Sequence, residues 1–67
     1  MKSGENIQLV TRAVKTCLES DRSTAINTPN QETAETLAEL IEWLGYGKLV
    51  YTQVRKSERW QVVVVKR

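Results

Sequence analysis

Histidine and phenylalanine are absent from this chain, and cysteine, proline and methionine occur once each. Without histidine there is no imidazole to move a proton near neutral pH, so that form of acid–base catalysis is excluded. A single cysteine excludes a disulfide framework, and one thiol with no histidine beside it cannot make a zinc finger. No apolar run approaches the roughly 18 to 20 residues of a membrane span. The first residues, Met1 to Asn6, lead into an amphipathic segment and not into the apolar core of a secretory signal. The chain therefore reads as a soluble cytoplasmic protein, with no cofactor, no metal and no membrane expected among its partners.

What is present is a short chain of 67 residues, which makes a single small domain spanning 1–67. A chain of this length buries only about 60% of the surface its unfolded form exposes. Its core rarely supplies more than about 3 to 5 kcal/mol. With disulfides and structural metals excluded, association with another chain is the natural supplement, and a homodimer is the expectation.

Apolar periodicity divides the chain into five elements. Over 6–19, Ile7, Val10, Ala13, Val14, Cys17 and Leu18 fall on one stripe of a helix, with Ser3 or Asn6 as the N-cap. Ser20 to Ser23 is a polar turn, and Thr24 to Asn27 reads as a short strand. Thr28-Pro29-Asn30-Gln31 has the form of a capping box with proline at the first helical position. It predicts a helix over 29–44 that buries Ala34, Leu37, Ala38, Leu40, Ile41 and Leu44 and stops at Gly45. Glu32, Glu35, Glu39 and Glu42 share its opposite face, with Trp43 on the border. Lys48 to Val54 and Arg59 to Lys66 are rich in Val, Tyr and Trp and read as a hairpin joined by Arg55 to Glu58.

Pairing Val54 with Arg59 fixes two faces of that hairpin. Leu49, Tyr51, Gln53, Trp60, Val62 and Val64 form the richer apolar face, which is expected to meet the helices. Lys48, Val50, Thr52, Val54, Arg59, Gln61, Val63 and Val65 form the other. Two helices cover one side of a three-stranded sheet, so this second face is left as an apolar patch suited to contact with another chain. Val50, Val63 and Val65, together with Trp43, are the candidate protein interface.

Charge is segregated. Residues 1–45 hold four Lys or Arg against seven acids, a net of −3, whereas 46–67 hold six against Glu58 alone, a net of +5. The six are Lys48, Arg55, Lys56, Arg59, Lys66 and Arg67. Beside Tyr46, Tyr51 and Trp60 they have the ingredients of a nucleic-acid contact, because cations neutralise phosphate and aromatic rings stack on bases. An acidic protein partner is the other ligand such a hairpin would suit, and a solvated basic edge that resists aggregation is the bland alternative.

Few residues suggest catalysis. Cys17 falls on the buried stripe of the first helix, where a thiol behaves as a small hydrophobe. The helical glutamates lack a second set of metal ligands. Gly45-Tyr46-Gly47-Lys48 follows a helix and precedes a strand, the reverse of a phosphate loop. No nucleophile has an identifiable base, so the chain is not expected to be an enzyme.

The helix of 7–19, the strand near 24–27, the helix of 29–44 and the closing hairpin that ends in Val65-Lys66-Arg67 together resemble the small bacterial sulfur-carrier family, with its TusA/SirA-like two-layer α/β fold. The resemblance is one of topology and spacing. The family's Cys-Pro-x-Pro segment before the first helix is absent, and Cys17 lies at the other end of that helix, so the resemblance implies a relative without the sulfur chemistry. A winged helix, with the hairpin as wing, needs a third helix for which about 16 residues leave little room. The architecture expected is α+β, with two helices on one face of a three-stranded sheet in the order α-β-α-β-β. The function expected is that of a small non-enzymatic binding or regulatory protein, with nucleic acid as its leading ligand and a homodimeric adaptor as the alternative.

Overall fold

A computed structural model describes residues 3–67. The reading of Met1 and Lys2 as part of a polar lead-in lies outside them. The elements are α1 (Ser3–Ser20), β1 (Thr24–Thr28), α2 (Gln31–Trp43), a single 3₁₀ turn (Tyr46–Lys48), β2 (Val50–Lys56) and β3 (Trp60–Lys66). The α-β-α-β-β order is the expected one. All pairing is antiparallel and the sheet order is β1-β3-β2, so β3 is the central strand and is paired on both sides.

Both helices lie on the same face of the sheet. The apolar stripe of α1 supplies Val10, Ala13, Val14 and Cys17 to the core, and that of α2 supplies Ala34, Leu37 and Ile41. Ile26, Val50, Val62 and Val64 meet them from the three strands. Leu18, Ala38, Leu40, Leu44, Tyr46, Val54 and Trp60 are partly buried around this centre. The core is aliphatic and thin. Its two layers fit within Cα extents of 27 × 26 × 15 Å.

Helix boundaries differ from the sequence reading where local hydrogen bonds compete. α1 begins at Ser3, which places Asn6 inside the helix instead of at its cap. It ends at Ser20, whose hydroxyl donates back to the Thr16 carbonyl at 2.7 Å. Asp21 then takes a left-handed conformation (φ 57), a geometry that aspartate tolerates at a helix end. The cap of α2 is Asn30, not Thr28. The Asn30 side chain accepts from the Thr33 amide at 2.8 Å, and Pro29 therefore precedes the helix. Thr28 is engaged elsewhere, since its buried hydroxyl lies 3.0 Å from the carbonyls of both Asn30 and Trp60. This contact ties the β1–α2 loop to the start of β3. Gly45 follows the α2 cap residue Leu44 with φ 92, where any other residue would be strained, and its amide reaches the Glu42 carbonyl at 3.0 Å.

The hairpin register is the main correction. Val54 pairs with Val62, not Arg59, and the closing pair is Lys56 with Trp60. The turn is Ser57-Glu58-Arg59, and none of its residues takes a positive φ, which is why it contains no glycine or asparagine. The displacement is an odd number of residues, so it reverses β2 relative to β3. Trp60, Val62 and Val64 face the helices as expected. On β2, however, Val50, Thr52 and Val54 face inward with them, while Leu49 and Tyr51 are exposed. The reason is packing. Short β-branched side chains sit flat beneath two closely applied helices, and a tyrosine facing inward would need a buried partner for its hydroxyl.

Ile41 is 0% exposed and Trp43 is 80% exposed, which sets up a stability test on one helix. Ile41→Ala should cost about 2 to 5 kcal/mol. Trp43→Ala, although it removes the larger side chain, should stay within about 0.5 kcal/mol of the parent. Urea unfolding followed by circular dichroism measures both, and equal losses would contradict this placement of the α2 stripe.

Candidate nucleic-acid interface

The six cations of the C-terminal third do not form one patch. An antiparallel hairpin brings the start of β2 and the end of β3 together, about 20 Å from the turn for strands of this length. Arg55, Lys56 and Arg59 gather at the turn end. Lys48, Lys66 and Arg67 gather at the opposite end, with Lys48 in the 3₁₀ turn and not in a strand.

The two groups differ in how far they are committed to the fold. Lys66 Nζ lies 3.1 Å from Asp21, the one ion pair among the described residues, and both groups are well exposed. Arg67 Nε donates to the Gly47 carbonyl at 2.6 Å, and its guanidinium lies 5.8 Å from the centre of the Tyr51 ring. At the turn end, Lys56 Nζ lies 5.9 Å over the Trp60 ring. A cation held on an aromatic face keeps its full charge, whereas one paired with a carboxylate is largely neutralised towards a ligand. Each end thus carries three cations and one acid, and the ends differ in pairing: Lys66 is tied to Asp21, whereas among the described residues the turn cations form no ion pair.

The turn end is also concave. An open cleft of about 620 Å³ is lined by Asn27, Thr28, Pro29, Asn30, Lys56, Glu58, Arg59 and Trp60. A smaller depression of about 300 Å³ adjoins it, lined by Asn27, Ser57, Glu58, Arg59 and Gln61. The loop–strand contact through Thr28 forms the floor between α2 and β3, so the cleft is built on the fold's own hydrogen bonds. Asn27 and Asn30 were not among the candidate residues. Their part follows from β1 pairing with β3, which no local pattern announces.

The open face of the sheet carries Ala25 and Asn27 from β1, Tyr51, Gln53 and Arg55 from β2, and Gln61, Val63 and Val65 from β3. It contains no acidic side chain. Val63 and Val65 belong to it as expected and are half-buried. Val50 does not: it is 1% exposed and lies beneath the helices. Trp43 is exposed on α2, on the helix side of the sheet, so the four residues of the expected protein interface do not make one surface. Tyr46 and Trp60 both pack against the core, which leaves Tyr51 as the exposed aromatic group of the ribbon.

Among the described residues no cluster of acids and thiols could hold a metal ion, and no helix is long and apolar enough to cross a membrane. No family model, curated protein or solved structure matches the chain.

Cys17 is fully buried, and its thiol contacts the Val64 carbonyl at 3.5 Å. A thiol reagent should label the native protein only as fast as it unfolds, then stoichiometrically in urea. Complete labelling within seconds in native buffer would contradict this burial.

Proposed function

We propose that this protein is a non-enzymatic nucleic-acid-binding protein that contacts phosphate through its C-terminal hairpin. The observation that carries this reading is the open cleft at the hairpin turn lined by Lys56, Arg59 and Trp60, with Glu58 as its one acidic lining residue and Arg55 nearby on the open face of the sheet. Lysine and arginine so placed replace the counterions of a polyanion, and their release drives binding without requiring an enclosed pocket. The cations of the opposite end extend the positive track, with Lys48 and Arg67 contributing more than the ion-paired Lys66. Self-association is the second reading, supported by the half-buried valines Val63 and Val65 on an open sheet face.

Fluorescence anisotropy with a labelled 12-nucleotide oligomer should detect binding at 50 mM salt. If three or four phosphates are contacted, affinity should fall roughly 20- to 50-fold between 50 and 200 mM salt. Arg55→Ala or Arg59→Ala should each lower the slope of log affinity against log salt by about 0.7 to 0.9. Lys66→Ala should change it least. Absence of binding to any oligomer at 50 mM salt would sink the reading.

A further inference from the structure

We infer that the open face of the sheet is a platform for single-stranded nucleic acid, so that the ligand is an unpaired strand and not a duplex. This rests on the proposed function and specifies its substrate class. Tyr51 is 46% exposed, points away from the helices, and has the Arg67 guanidinium over one face of its ring at 5.8 Å. It stands one hairpin length from the cationic turn and shares its side of the sheet with Arg55. Between them the face offers amides, those of Gln53, Gln61 and Asn27. Gln61 Nε2 donates to Asn27 Oδ1 at 2.9 Å across the β1–β3 pair, a bond that uses neither the Asn27 amide NH2 nor the second Gln61 amide hydrogen.

This sequence of groups fits an unstacked strand. The cations at each end suit phosphates, the tyrosine ring suits the flat face of a base, and the amides suit base edges. In a duplex the bases are stacked on one another and their faces are unavailable, so Tyr51 would contribute nothing. The absence of any acid on this face also favours a polyanion over an acidic-faced second copy, whose α2 glutamates would have to leave solvent to dock there.

The test compares a 12-nucleotide single strand with a duplex carrying the same number of phosphates, by anisotropy at 50 mM salt. The single strand should bind at least tenfold more tightly. Tyr51→Ala should weaken single-strand binding by about five- to 150-fold, the range set by loss of one base–aromatic stack, and leave duplex binding unchanged. Because Tyr51 is exposed, the variant should fold, which circular dichroism would verify. Trp43→Ala, an exposed aromatic on the helix side, should leave both affinities unchanged. Equal affinity for single strand and duplex, or no effect of Tyr51→Ala, would overturn the platform while leaving the cationic contact standing. Failure of both oligomers to bind would remove the proposed function as well. A dimer seen by sedimentation and dissociated by Tyr51→Ala would assign the face to a second copy and overturn the inference.

Discussion

The sidedness of β3 governs everything else in this molecule. As the central strand it is hydrogen-bonded along both edges, so its two faces are the only freedom it has left. Val62 and Val64 turn to one face and are completely buried under α1 and α2. Val63 and Val65 must then turn to the other. Since β1 and β2 are both registered on β3, the choice made by two valines decides which residues of all three strands meet the core and which meet solvent. A one-residue slip of β3 would bury Gln61 and expose Val62, a trade that the helices' apolar stripes do not permit.

Much of this was legible in the sequence because it is written in local periodicity. The stripes of α1 and α2 follow helical spacing and account for seven of the core residues directly. The element order and the helix-facing side of β3 follow in the same way. What was not legible depends on pairings between distant segments. The register of β2 is set by a three-residue turn without a glycine signature, and the sequence offers only alternating strands on either side of Arg55 to Arg59. Placing the largest apolar groups inward is a reasonable guess for Leu49 and Tyr51, but the space beneath two close helices favours Val50, Thr52 and Val54. Thr28 illustrates the same limit. Its capping-box pattern with Pro29 and Gln31 is a good local signal, yet a contact 32 residues away with the Trp60 carbonyl takes the hydroxyl, and Asn30 caps the helix instead.

The candidate site was legible as composition but not as shape. Six cations among the last 20 residues mark a basic hairpin in any register. Their division into two ends, and the inequality between those ends, came from the fold. Asp21 sits at a left-handed position after α1 that happens to face Lys66, and so withdraws one cation from the track. Arg67 is drawn toward Gly47 and Tyr51. Among the described residues no such partner reaches Arg55 or Arg59. An exposed pair such as Lys66 and Asp21 contributes between nothing and about 1 kcal/mol to folding, so its larger consequence is for the electrostatic surface offered to a ligand.

The unpaired cations bear on why the hairpin turn has this form. Arg55, Lys56 and Arg59 repel one another, and the fold places no carboxylate of its helices against them, although four exposed glutamates are available on α2. Folding alone gains nothing from this separation, because exchanging a turn cation for an acid would lessen the repulsion without touching the core. What holds the turn in place is independent of its charge: the Lys56–Trp60 closing pair, the Trp60 ring against the core and the Thr28 hydroxyl on the Trp60 carbonyl. Anchoring of this kind lets the turn present uncompensated positive charge at a fixed position, and on the proposed function a polyanion would meet a surface whose ordering cost was met when the chain folded.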